Sequence, residues 1–181
     1  MSRQVSRNYY EFIPDDDTEK DVYLQAHGHN FDGQERHVVI YWVVNGTLAD
    51  NPVTQIVQLS GIRGNFVFDS LVAKLRNPAT LDSHTQYYLG SFTRVERQLL
   101  LQLADQVVFD KASVVNGCRV WMRELLVAMV KENMISEETF EVIEEEVPLP
   151  KRIPEAEGKG VQADNHFHSD DILTLRMFVD F

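Results

Sequence analysis

Apolar residues recur with a period of two over the first half of the chain and with a period near 3.6 over much of the second. "DVYLQAHGH", Asp21 to His29, reads as a strand after the acidic turn "PDDDTEKD". "HVVIYWVV", His37 to Val44, is β-branched and aromatic throughout and is the strongest strand signal. It ends at Asn45-Gly46, a turn dipeptide. The return, "VTQIVQL" from Val53 to Leu59, follows a loop closed by Pro52. "GNFVFDS" and "HTQYYLG" add short strands around a helical turn expected near Leu71 to Leu75.

The period then changes. Thr93 and Glu96 have capping-box spacing and predict a helix through Ala104. A second helix starts near Asn116-Gly117-Cys118 and runs to about Glu132. Trp121, Leu125 and Met129, with Met122, Leu126 and Val130, give it a broad apolar face. Arg119, Arg123 and Lys131 lie largely off that face. Ser136 before Glu137 and Glu138 reads as an N-cap with an acidic first turn, opening a third helix that ends before Pro148. Residues 147–171 turn to Pro, Gly, Lys and Glu and read as a loop or flexible excursion. "ILTLRMFVDF" is expected to close the chain as a strand. Strands first, helices later and one returning strand argue for a single α+β domain over residues 1–181, an antiparallel sheet packed against two or three helices.

Composition narrows the function more than the fold. The 181 residues suffice for a substantial core, and 44% hydrophobic with 25% charged residues is ordinary for a soluble domain. The formal net charge of -11, with no basic stripe, argues against nucleic acid and anionic membranes as partners. No apolar run is long enough for a bilayer span, and "MSRQVSRNYYEF" lacks the core of a secretory signal. A single cysteine leaves no internal disulfide framework. A cytoplasmic chain is therefore expected.

That cysteine, Cys118, carries the candidate chemistry. With Asn116 as the helix cap it would sit in the first turn, where backbone N–H groups and the helix dipole favour a thiolate. A reactive cysteine needs a base. His37 opens the strongest strand, where a side chain can meet a helix terminus. Alternation puts His37, Val39, Tyr41 and Val43 on one face of that strand, and Val38, Ile40, Trp42 and Val44 on the other. Either face is apolar enough to receive the helix. On the next strand Thr54, Ile56 and Gln58 share a face, so Gln58 is placed to fix the imidazole's tautomer.

"HVVIYWV", "VTQIVQLSG" and "NGCRVWMRELL" together resemble the circularly permuted papain-like group, which includes lecithin:retinol acyltransferase-type enzymes and bacterial cell-wall peptidases. There a histidine begins a strand, a polar residue follows on the adjacent strand, and the cysteine comes later at a helix N-terminus. The closer likeness is to a family of small fungal proteins. Its His-Trp-x-Ile-Tyr strand and Asn-Gly-Cys-Arg-Tyr-Trp helix start are similar to His37 to Tyr41 and Asn116 to Trp121. The resemblance spans roughly Val22 to Met134 and implies Cys118 as nucleophile, His37 as base and Gln58 as orienter. Gln55, three residues from Gln58, competes for the last role, and the glycine between Asn116 and Cys118 departs from the group's Asn-Cys helix start.

Other readings stay open beside this one. Cys118 is equally compatible with inert packing, and His37 with a strand-end histidine bonded to a carbonyl. Tyr41, Trp121 and Asn116 are the candidate substrate contacts, and the aromatic residues point to a small hydrophobic substrate. The same cleft would also serve a non-covalent binding or cyclisation scaffold for a hydrophobic metabolite, and an interaction protein without a small-molecule site is a third possibility. His27 with His29, and His166 with His168, have the spacing of paired metal ligands on a strand, but neither pair lies in a longer metal signature. No phosphate-binding glycine loop or serine elbow is present. Neither metal nor cofactor is expected.

Overall fold

Alternating apolar residues build a sheet with two unequal faces. The structure, a computed structural model, describes residues 8–27 and 37–155. In chain order its elements are β1 (Lys20–Ala26), β2 (Val38–Asn45), β3 (Val53–Val57), β4 (Leu59–Ile62), β5 (Asn65–Phe68), β6 (Ala73–Leu75), α1 (Pro78–Asp82), β7 (Thr85–Phe92), α2 (Arg94–Gln106), α3 (Cys118–Lys131) and α4 (Glu137–Glu146). Five strands form an antiparallel sheet in the order β6-β3-β2-β1-β7, and β4 and β5 form a separate hairpin. The architecture is α+β, as the order of periodicities predicts. Among the described residues no helix is long and apolar enough to cross a membrane.

The helices choose the face carrying Val38, Ile40, Trp42 and Val44. Together with Val22, Leu24 and Ala26 of β1 these residues join Trp121, Met122, Leu125, Leu126 and Met129 of α3 in one buried core. The last five side chains are each 0–1% exposed. Full burial of such a side chain contributes about 1.5–3 kcal/mol. That decides where α3 lies, because its start has no side-chain cap hydrogen bond, a shortfall of only about 1 kcal/mol. The opposite face of the sheet carries Tyr23, Gln25, Val39, Tyr41 and Ile56.

Two local expectations need correction. The helical turn near Leu71 to Leu75 is instead strand β6, which pairs with β3 through Gln55 and Ala73; Ala73 is fully buried there. The helical turn comes later, at α1, where Asn77 caps Ala79 and Pro78 occupies the first turn. The predicted strand from Val53 to Leu59 breaks at Gln58, and Leu59 belongs to the β4–β5 hairpin. Gly61 makes that hairpin possible, since its φ is +106° and a Cβ there would collide with the Asn65 carbonyl oxygen.

The described part of the supposed excursion, 147–155, is irregular but fastened. Val147 and Leu149 enter the core, and Arg152 reaches Glu124 of α3. The remainder of 147–171 and the closing strand expected at Ile172 to Phe181 lie outside the described residues.

The acidic turn before β1 has a specific counterpart that periodicity does not reveal. Arg97, fully buried on α2, meets Asp15 at 2.8 Å and also donates to the carbonyls of Asp16, Thr18 and Phe92. One guanidinium thus ties α2, the end of β7 and the entry to β1 together. Removing it strands a carboxylate and three carbonyls. Arg97→Met is expected to lose about 3–5 kcal/mol of unfolding free energy, read from urea titrations. The exposed Arg94–Asp17 pair nearby sets the contrast, and Arg94→Ala should leave the urea midpoint nearly unchanged. Equal losses in the two variants would contradict this assignment.

Candidate active site

Two backbone devices bring the site residues together. The β5 edge bonds to the segment before α3, with Gly64 N–H donating to Ser113 O at 2.8 Å and Phe66 N–H to Lys111 O at 2.9 Å. Phe68 then packs on Trp121, with ring centroids 5.1 Å apart. The hairpin thereby holds the first turn of α3 against the sheet. At the sheet's end, His27 N–H donates to His37 O at 2.9 Å, which fixes the backbone just before β2. His37 belongs by alternation to the face away from the helices. Because it stands ahead of the β2 ladder, its ring extends past the sheet end and meets the helix.

Cys118 Sγ lies 3.8 Å from His37 Nδ1, across 81 residues of sequence. On the other side of the ring, His37 Nε2 lies 2.9 Å from Gln58 Oε1. Gln58 Nε2 donates to Ser60 Oγ at 3.1 Å. With the amide nitrogen on Ser60, the Gln58 oxygen faces the ring. That oxygen only accepts, so the proton sits on Nε2 and Nδ1 presents its lone pair to the thiol. The tautomer that a thiol base requires is therefore set by Gln58, from the break between β3 and β4. Gln55 takes no part, since it lies on the helix-facing side and donates to Ser70 O.

Its surroundings disfavour the charged imidazole. Burial is the main cause of a depressed His37 pKa, and the positive charges of His27, Arg76 and Lys74 add to it, while the bond to Gln58 works the other way. The first turn of α3 contains no acidic residue and no side-chain cap. Its cap is Gly117, not the expected Asn116, so Cys118 is the first helical residue. Asn116 is 4% exposed, and its amide group bonds to Ile153 O, Ile153 N and Glu155 Oε1. It clamps the chain after α4 beside the site.

No family model matches the chain, and no curated protein or solved structure matches it significantly. The functional reading rests on the residues themselves.

The other expected substrate contacts sit deeper than a substrate would reach. Trp121 is 1% exposed within the core, and Tyr41, equally buried, donates to Gln86 Oε1 at 3.0 Å. Desolvation pushes the Tyr41 phenol up to about 12. Of the histidine pairs only His27 is described. Its ring lies tilted against that of His84, with centroids 4.5 Å apart, and among the described residues no three potential metal ligands gather. A small cavity of about 20 Å³ opens beside His37 and Gln58, lined also by Gln25, His27, Arg76 and His84. Sequence reasoning missed Gln25, Arg76 and His84, because nothing in period or motif separates them from ordinary strand-end polar residues.

The depressed His37 pKa has a thermodynamic consequence. The unfolded histidine titrates near its ordinary value of about 6.5, above the folded one. Between the two the unfolded state binds more protons, so stability is present above that range and is lost as pH falls through it. The native protein is expected to lose stability from pH 7 toward pH 5. His37→Asn should flatten the slope by up to about 1.4 kcal/mol per pH unit, the limit for one proton. Denaturant titrations across that range check this, and identical slopes would mean that His37 titrates alike in both states.

Proposed function

We propose that the protein is a cysteine-dependent acyl-transfer enzyme, a thiol hydrolase or acyltransferase. Cys118 is its nucleophile, His37 its base and Gln58 its positioning residue. The observation that carries this reading is the continuous chain from Sγ to Nδ1 and from Nε2 to Oε1, assembled from three separate segments. The motif resemblance to the permuted papain-like group, in which the histidine strand precedes the cysteine helix, points the same way.

The geometry supports the following sequence. A carbonyl carbon approaches Cys118 from the first turn of α3. Its thiol proton passes to His37 Nδ1 as the Sγ–C bond forms, and the carbonyl π electrons move onto oxygen. The N–H groups of the uncapped first turn stabilise that oxyanion. The intermediate collapses, the bond to the leaving alcohol or amine breaks, and Nδ1 returns the proton to the departing group. A thioester remains on Cys118. Water or a second acceptor then attacks it, giving its proton to Nδ1, and Sγ leaves and recovers the proton. The Gln58 amide is neutral, so it orients the ring without supplying the charge stabilisation that a carboxylate would.

A small hydrophobic acyl group suits the apolar sides of the Cys118 helix. An activated ester of a short fatty acid, such as p-nitrophenyl butyrate, is the first probe. Mass spectrometry of the mixed protein should show one butyryl adduct on Cys118, absent from Cys118→Ser. His37→Ala should lower the acylation rate by about 10²–10⁴, and Gln58→Leu by less. Adduct formation that proceeds at the same rate in His37→Ala would remove the base and, with it, the enzyme reading.

A further inference from the structure

The cavity beside His37 holds a group that the acyl-transfer chemistry leaves unused. Arg76 is 3% exposed. Its Nη2 donates to Gln25 Oε1 at 2.6 Å, and its guanidinium lies 5.7 Å from the centre of the Tyr41 ring. Its Nε is buried with no hydrogen-bond partner, and among the described residues no carboxylate pairs with it. Arg97, the other buried arginine, and the partly buried Arg123 each meet one, Asp15 and Glu144. A buried guanidinium is costly unless its charge is answered. The cavity walls answer it with neither aspartate nor glutamate. They bring His27, His84, His37, Gln25 and Gln58 instead, within a chain whose net charge is -11.

We propose that Arg76 anchors a binding site for a small monoanion, chloride or the head group of a carboxylate, seated in this cavity against His27 and His84. The volume of about 20 Å³ admits one occupant of roughly water size, so a larger anion is excluded unless only its head group enters. Arg76 lines the cavity and supplies the charge, and His27 and His84 line it too. Gln25 holds the guanidinium in place.

A second consequence rests on the acyl-transfer reading above. The titratable and charged groups around His37 are Cys118 on α3, His27 after β1, Lys74 on β6, Arg76 after β6 and, across the cavity, His84 before β7. An anion at Arg76 offsets the positive charge directed at His37. It thereby favours the imidazolium that forms when Cys118 gives up its proton. The site would then act as an anion-dependent activator of the thiol.

The test uses the whole chain in chloride, formate, propionate or gluconate at equal ionic strength. Chloride and formate should raise the melting temperature saturably over gluconate, because a ligand that binds the native state stabilises it. Propionate reports whether a carboxylate head group with a tail still enters. The chloride and formate advantage should vanish in Arg76→Gln and persist in Cys118→Ser, which separates the anion site from the thiol chemistry. Should Arg76→Gln fail to fold, chloride-35 line broadening by the wild-type protein decides, with formate abolishing it and gluconate leaving it intact. Equal stabilisation by all four anions, or an undiminished chloride advantage in Arg76→Gln, would overturn the site. Iodoacetamide, a neutral alkylating agent, reads the coupling. Its rate at Cys118 should rise with chloride occupancy in the wild type and stay flat in Arg76→Gln. A melting shift without a rate change would keep the anion site and refute its link to the thiol.

Discussion

Burial of one helix face fixes the position of the only sulfhydryl group in the chain. Trp121, Met122, Leu125, Leu126 and Met129 are sealed against the sheet, and Cys118 is the residue from which that face begins. The helix cannot slide or rotate without exposing several of these side chains, each worth about 1.5–3 kcal/mol. The position of Sγ is thus a by-product of core packing. The same core includes Val38, Ile40 and Trp42, which set the strand that His37 precedes. Thiol and imidazole meet because two apolar surfaces with strong positional preferences each carry one of them at an end.

The start of α3 shows how this arrangement departs from what stability alone would choose. A serine, threonine or aspartate at the cap would satisfy a backbone N–H and add about 1 kcal/mol. The cap is Gly117 instead, and the adjacent Asn116, well suited to capping, turns to the segment at Ile153 and Glu155. The helix forms regardless, since its apolar face dominates the energetics. Its first-turn N–H groups are left without a side-chain acceptor from the cap. An oxyanion site needs that condition, and a helix start optimised for stability would remove it.

Much of this was legible in the residues, and the reasons for success and failure differ. The capping box at Thr93 and Glu96 and the cap at Ser136 are local devices, and both form as read. The strand from His37 and the apolar face of α3 are long periodic signals, which tolerate an error of a residue at either end. Alternation grouped His37 with Gln58, but it alone put both on the face away from the helices; the meeting with Cys118 comes from the position of His37 ahead of the β2 ladder. Short elements escaped. Strand β6 is three residues long, too short to show a period, and only its pairing with β3 defines it. Which face of β2 meets the helices was undecidable because both are apolar, and the far face is buried nearly as well through Val39, Tyr41 and Ile56. Arg97 and Arg76 carry no pattern at all. Their partners, or lack of partners, arise from residues distant in sequence.

The charge state of His37 ties these threads together. Its orienter is an amide, so Gln58 selects the tautomer but cannot compensate a proton gained at Nδ1. Burial and the neighbouring cations oppose that proton further. These influences favour the neutral imidazole at rest, 3.8 Å from the Cys118 sulfur. Forming the ion pair must therefore draw on something absent at rest. The dipole of α3 favours the thiolate half. The imidazolium half borders the cavity that Arg76 also lines, where negative charge is electrostatically favoured. A neutral orienter and a buried guanidinium without a carboxylate border one cavity beside the ring, and the proposed anion would supply the negative charge that both leave out.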